Sequence, residues 1–465
     1  MKKGWTVLFY ICSEDQETRK YSDALIDLLL KTRPAEHLRL LSFVSTFEND
    51  SADYLMGKLY KLEYDPDKQT RVLITVKDYQ RVDPGNKSVF KKVLQTVVEK
   101  DLMMERFLLF PWDHGAGFGI FGGDPRMPGI DNLWGMADSN PDLENIDNAG
   151  AVVELKVITN RFSAASRKLF LTGFVKDQVD LIAGNQLAAE AMQKKIEVRM
   201  LTCIDMNEVL NDLKIKVDLM IMLNCWMQML ENGYEFSKSV RLIVAAETVN
   251  FFAGYDYEGI LSLIVDDAAA EPERIAAYAV DSLPNLYEKN PVWTERLNEL
   301  VVSAVRPAAI DDVIAALSNI CEDLRESIKQ NGTILRDIRT SAVDLTFNYF
   351  IDENGNIDNS QLDCYIDLVA YLSMAKEKNL VSNEKLNALI YANRAFIINK
   401  CPAGMQDPGK ASRDDKYGYS VYHPCTTDDF DSVYCEYFYT SKRSRLSRTP
   451  WGSFLSEFKN IKPAQ

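Results

Sequence analysis

The first half of this 465-residue chain alternates short apolar runs with amphipathic segments, and that alternation most limits the folds open to it. Trp5–Cys12, Leu38–Ser45, Arg71–Val76, Arg106–Pro111, Val217–Leu223 and Ser239–Ala246 read as strands. Between them, Tyr21–Thr32 carries Leu25, Leu28 and Leu29 at helical spacing. The segment after the Asp83-Pro84-Gly85 turn sets Val89, Val93, Val97 and Val98 on one helical face, and Met206–Leu213 reads as another helix. Strands separated by helices pair in parallel, because a parallel partner needs a long crossover. The predicted fold class is therefore α/β, a mostly parallel sheet flanked by helices, over residues 1–266. Past Ala268 the pattern turns helical, at Pro272–Tyr287, Ala309–Gln330, Gln361–Lys376 and Ser382–Ala395. Tyr417–Pro424 and Ser432–Tyr439 are strand-like. This predicts a mainly helical second domain over 267–465. Residues 123–195 open on a glycine- and proline-rich stretch, continue through two short strand-like runs (VVELKVITNRF and RKLFLTGF), and read as an insertion.

Composition removes several function classes. A net charge of −15 argues against nucleic acid and against an anionic membrane surface. No run of 18 apolar residues is present to span a bilayer. MKKGWTVLFYIC is read as a buried strand rather than a signal ending at Cys12, which leaves the compartment open. The eight cysteines are scattered without a CxxC, and only three histidines accompany them, so neither a zinc site nor a disulfide framework is indicated. Most of the cysteines are expected to be small core residues.

In an open parallel sheet, ligands bind beyond the carboxyl ends of the strands. Two such ends are chemically loaded. His114, in WDHGAGFG, follows Arg106–Pro111, and Cys225 follows Val217–Leu223. The other histidines, His37 and His423, stand in ordinary surroundings. Imidazole titrates near neutral pH and is suited to take a thiol proton. The backbone N–H groups of Gly115 and Cys225 could then hold a tetrahedral oxyanion. On spacing alone, a buried cysteine in an apolar strand remains the plainer account of Cys225.

The motifs add a resemblance. FLLFPWDHGAGFG (107–119) resembles the W-D-H-G-x-G histidine motif of the clostripain family of cysteine peptidases. VDLMIMLNCWMQMLENGYEF (217–236) resembles its cysteine motif, D-L-I-G-F-D-A-C-L-M-x-x-x-E-x-A-Y-E, with the same spacing from Asp218 to Cys225, Glu231 and Glu235. WTVLFYI, DPGN, LIVAAETV with GYDYEGIL, AVDLTF and GYSVYHP are similar to further family segments in the same order. The resemblance implies a caspase-like fold and a His114–Cys225 dyad that hydrolyses peptide bonds; the dyad itself needs no cofactor, and some relatives use calcium. The resemblance also implies a secreted or cell-envelope setting.

The departures bear on specificity. The family places an aspartate two residues before the cysteine, at the base of a pocket for Arg or Lys. Here that position is Leu223, followed by Asn224, with Trp226 after the cysteine. An apolar side chain offers a guanidinium nothing for its lost hydration, so strict basic specificity is not expected. Glu247 and Asp256, on the segment that would line the cleft, are the acids that could compensate. The alternative reading is a catalytically inactive relative that binds peptides or proteins.

Three further features carry weaker readings. Arg126, Arg161, Arg167, Lys168, Lys194, Lys195 and Arg199 are possible processing points between His114 and Cys225. FIDENGNID (350–358) is similar to a calcium loop, but its glycine falls at the fourth place instead of the sixth, and a turn explains it better. SKRSRLSR (441–448) is a basic run that Asp428–Asp431 could face. Oligomeric state is not legible.

Overall fold

The computed structural model describes residues 2–13, 16–47, 55–113, 115, 117–122, 152–155, 196–248, 250, 254–289, 300–341, 365–401, 418–424 and 436–461. In chain order the strands are β1 (Trp5–Ser13), β2 (Leu38–Phe47), β3 (Leu55–Asp65), β4 (Thr70–Val82), β5 (Arg106–Trp112), β6 (Gly119–Gly122), β7 (Val152–Leu155) and β8 (Ile196–Thr202). They continue with β9 (Val217–Ile221), β10 (Val240–Ala246), β11 (Val302–Val305), β12 (Tyr365–Asp367), β13 (Ile397–Lys400) and β14 (Ser420–Tyr422). The helices are α1 (Gln16–Leu30), α2 (Lys87–Glu99), α3 (Cys203–Asp212), α4 (Leu230–Glu235), α5 (Tyr257–Asp266), α6 (Pro272–Asp281) and α7 (Leu283–Glu288). The last four are α8 (Ile310–Ser341), α9 (Leu368–Glu377), α10 (Asn383–Phe396) and α11 (Pro450–Phe458).

Nine of these strands form one sheet, in the order β13-β11-β10-β9-β5-β1-β2-β3-β4. Its five central strands, β10 to β2, are all parallel, as the alternation predicts. Both margins are antiparallel: β2-β3-β4 on one side, β10-β11-β13 on the other. Strands β11 and β13 come from the chain beyond residue 266, so that half adds to the sheet as well as supplying helices. β6, β8 and β7 make a small antiparallel sheet, and β12 pairs with β14.

Period-two alternation splits the central strands between two cores. Leu8, Tyr10 and Cys12 of β1 face one, with Leu109 of β5 and Met220 of β9, under α2, α3 and α8. Val7, Phe9 and Ile11 face the other, with Leu108, Phe110, Leu219 and Ile221, under α1, α5 and α6. Burial on both faces is why these strands read as unbroken apolar runs. β3 escapes that reading because its residues alternate between buried and half-buried, as at a sheet margin.

Other differences have local causes. Val98 is 47% exposed, because it lies one helical step off the stripe of Val89, Val93 and Val97. The single helix expected over Pro272–Tyr287 breaks at Ser282, and Pro284 sits in the first turn of α7, where its missing N–H costs least. Within Gln361–Lys376, Tyr365–Asp367 is a strand, and Asp367 then caps α9 by accepting the Ala370 N–H. Residues 436–439 of the expected strand Ser432–Tyr439 belong instead to a wide helical turn that runs to Thr440. Much of the 123–195 insertion lies outside the described residues, as do the calcium-like stretch 350–358 and Asp428–Asp431. Of the basic processing candidates, only Arg199 is described. It lies within β8, opposite Gly122 of β6 and Val152 of β7.

Asp218, the first matched residue of the cysteine motif, accepts the Phe107 N–H at 2.9 Å. It fastens the start of β9 to the start of β5, ahead of the Leu108–Leu219 and Leu109–Met220 pairs. Asp218→Ala should lower stability by roughly 1–3 kcal/mol in urea unfolding. An unchanged midpoint would mean that the apolar faces alone hold these two strands in place.

Candidate active site

The carboxyl ends of β5, β9 and β10 lie at one edge of the sheet because the three are neighbours and parallel. After β9 the chain passes through Leu223 and Asn224 to Cys225. After β5 it passes through Asp113 to Gly115. His114, between them, lies outside the described residues. The Leu223 N–H donates to Pro111 O at 3.4 Å, and Asn224 Nδ2 donates to Asp113 O at 2.8 Å. The two loops are therefore joined before the cysteine is reached.

Gly115 packs directly on the cysteine. A Cβ there would stand 2.6 Å from Asn224 Cβ and 2.8 Å from Cys225 N, so only glycine allows this approach. Gly117 adopts φ +76°, and a Cβ on it would strike Met229 Sδ and Tyr365. Trp226 also has a left-handed backbone, φ +57°, an uncommon conformation for an aromatic residue. Its N–H donates to Thr248 O, and its ring lies 6.3 Å from that of Tyr365.

Among the described cysteines, Cys12, Cys203, Cys321 and Cys401 are buried core residues, and Cys225 alone is partly exposed. Its thiol donates to Asn250 O at 3.4 Å, and its sulfur accepts the Asn250 N–H at 3.3 Å. Burial pushes the thiol up to about 11, against the pull of the N–H groups of Asn250, Gly115 and Cys225 itself. Those donors favour the anion without making it dominant at neutral pH. A thiolate there needs a further positive or proton-accepting partner.

The remaining sequence candidates have distinct surroundings. Leu223 is buried in the apolar core with Tyr255 and Tyr257, and its Cδ1 would be 3.2 Å from a Cβ on Gly254 (φ +63°). Asn224 is fully buried, with its amide turned to Asp113. Glu247 is buried, and its charge adds to burial, the main cause, and to Asp367 in pushing the Tyr419 phenol upward. Asp256 caps α5 through Gly259 N–H at 3.0 Å and accepts from the Tyr278 hydroxyl at 2.5 Å.

Sequence reasoning missed Asn232, Asn250 and Tyr365, which surround the two loops. Asn232 Nδ2 donates to Gly117 O at 2.6 Å and to Met227 O at 2.8 Å. A single asparagine in a variable motif position carries no signal in sequence; only the folded loops reveal it. Among the described residues, no His, Cys, Asp or Glu cluster could hold a metal ion. No described helix is long and apolar enough to cross a membrane.

The sequence matches the clostripain family, peptidase C11, over residues 190–443, more than half of the chain. No curated protein matches it. Its fold is similar to that of an inactive zymogen C11 protease from Parabacteroides distasonis, with a TM-score of 0.59 and 15% identity, over 96% of this chain and 98% of that one. It is also similar to a secreted C11 cysteine protease from Bacteroides thetaiotaomicron in complex with an irreversible peptide inhibitor. There the TM-score is 0.57 and the identity 16%, over 97% of this chain and 99% of that one.

The two glutamates that follow the cysteine in the motif tie α4 to the C-terminal segment. Glu231 is fully buried and accepts the Tyr422 N–H at 2.9 Å and the Tyr439 hydroxyl. Glu235 accepts the Arg445 N–H at 2.6 Å, and the Arg445 guanidinium lies 3.9 Å above the Tyr234 ring. The basic run 441–448 thus anchors inward at Arg445. Burial pushes both carboxyls up to about 7, against these hydrogen bonds. A carboxyl raised on folding holds a proton that the unfolded chain releases near pH 4.5. Its contribution is complete below that pH and is lost as pH rises through about 7. Stability should therefore fall between pH 5 and pH 8, by on the order of 2–3 kcal/mol per group. Glu231→Gln should flatten that fall in a urea-unfolding series, and an unaltered slope would remove Glu231 from the account.

Proposed function

The chain belongs to the clostripain family, and on that premise we propose that it is a cysteine endopeptidase whose nucleophile is Cys225 and whose base is His114. The close packing of Gly115 on the Cys225 backbone carries this reading, because it brings the segment that follows position 114 onto the cysteine, where backbone N–H groups can meet the negative charge that attack by the sulfur builds.

In this mechanism His114 takes the Cys225 proton as the sulfur attacks the scissile carbonyl. A C–S bond forms, and the Gly115 and Cys225 N–H groups hold the oxyanion. The C–N bond then breaks, and His114 returns the proton to the departing amine. Water, deprotonated by His114, attacks the thioester, releases the acid and restores the thiol. Every proton is accounted for by the dyad and water, so no cofactor enters. A peptide as ligand fits the B. thetaiotaomicron relative, which is described with a peptide inhibitor, and the secreted nature of that relative suits an extracytoplasmic setting.

Leu223 supports a pocket that prefers neutral or apolar side chains before the scissile bond. The Asp256 carboxylate is already engaged by Gly259 and Tyr278, which weakens its candidacy as a substitute acid for a cationic side chain. The raised Cys225 thiol favours one competing reading, a non-catalytic relative that binds peptides.

A peptide library with varied residues before the scissile bond separates the two. The peptidase should cleave at neutral residues, lose cleavage with Cys225→Ala, and lose on the order of 10²–10⁴ in rate with His114→Ala. A chain that binds these peptides and cleaves none is the non-catalytic relative. Leu223→Asp should gain cleavage after Arg or Lys by about 10- to 100-fold, as a charged hydrogen bond allows, with some loss of thermal stability. If basic residues are no better accepted by that variant, Leu223 does not face the bound side chain.

A further inference from the structure

Asn232 lies on α4, seven residues past the cysteine, and is 1% exposed. Its amide nitrogen reaches two carbonyl oxygens, Gly117 O at 2.6 Å and Met227 O at 2.8 Å. Both partners can only accept, so the NH₂ group, and not the amide oxygen, must face them. Gly117 belongs to the loop that carries position 114, and Met227 to the loop that carries Cys225. One buried amide therefore bridges both.

The bridge has little slack. On its other side, Gly117 is backed by Tyr365 and Met229, which a single added carbon would strike. The direct link between the loops here, Gly117 N–H to Cys225 O, is long at 3.5 Å. The Asn232 amide oxygen has no hydrogen-bond partner among the described residues. A buried polar atom left so is costly, and the side chain recovers that cost only through its two donated bonds.

We propose that Asn232 is a positioning residue that sets the separation of the histidine-bearing and cysteine-bearing loops. It touches neither substrate nor sulfur and acts through Gly117 and Met227. The inference rests on the dyad reading above. Asn224 links the same loops at Asp113, on the other side of Gly115. The pair holds the histidine loop on both flanks, and Asn232 supplies the only side-chain bond to Gly117 O among the described residues.

The test compares the full chain with Asn232→Leu, which removes both donors and keeps the branched shape, and Asn232→Ser, which keeps one. Three quantities are measured: the pH profile of Cys225 alkylation by iodoacetamide, kcat and KM on a peptide the wild type cleaves, and thermal unfolding. In folded Asn232→Leu, the alkylation midpoint should move up toward that of His114→Ala. kcat should fall on the order of a hundredfold, as for a misplacement of about 1 Å, with KM little changed. Asn232→Ser should lie between.

A purely structural role would lower the melting temperature and leave both the alkylation profile and kcat of the folded protein at wild-type values, which overturns the proposal. If Asn232→Leu does not fold, the Asn232→Ser profile decides by the same criterion. A wild type whose alkylation ignores His114→Ala overturns the dyad reading and this inference with it. A wild type that responds to His114→Ala but not to either Asn232 substitution overturns this inference alone. Where the wild type cleaves no peptide, the alkylation profiles still decide.

Discussion

Strands β5 and β9 lie side by side and parallel in the middle of the large sheet, and the site depends on that pairing. Parallel neighbours end at the same edge, so the segments that follow them emerge together. The pairing brings residues near 114 within reach of residue 225, a sequence separation that no local structure could bridge. Asp218 ties the strands at their start, and the Leu223 N–H and Asn224 amide tie the segments just past their ends. Between those points the contact is apolar and buried on both faces, which excludes water and leaves little freedom for slippage.

Past the strand ends, hydrogen bonding replaces apolar packing as the organising force. Loops carry backbone groups that must find partners once buried. Trp226 N–H finds Thr248 O, Gln228 N–H finds Ala246 O, and Ser420 N–H finds Gln228 O. Gly117 O and Met227 O share the Asn232 amide. The cysteine loop is thereby held by β10 on one side and by β14 on the other. Phe118, just after the histidine loop, stacks on Phe438 at 4.2 Å and meets Tyr422 edge-on. The C-terminal half thus supports the loops of the site from behind, and β11 and β13 extend the same sheet.

Several parts of this arrangement were legible in the chain. The central strands could be read because burial on both faces demands continuous apolar runs, as in Trp5–Ser13 and Arg106–Trp112. Cys225 and Gly115 stood out because they follow the ends of two apolar strands and lie in motifs that resemble those of one family. β3 did not stand out, since half-buried residues at a sheet margin carry only a faint alternation. The wide turn over 436–440 has the aromatic composition of a strand, because aromatic residues suit either form. Val98 is apolar like its neighbours yet lies one step of rotation off the buried face of α2, which composition alone does not reveal.

By itself the sequence determined the α/β class, the parallel centre of the sheet, the family, and the residue types able to do chemistry at two strand ends. These are set by local pattern: apolar period, turn residues, and motif spacing along one chain. The tertiary structure alone decided which buried polar groups join the two loops. Asn232, Asn250, Tyr365 and Glu231 act across sequence separations that no period encodes, and their partners are mostly backbone atoms, which are chemically the same at every residue. It also decided that Asp256 caps a helix and that Leu223 lies in the apolar core, because those roles depend on where distant helices pack.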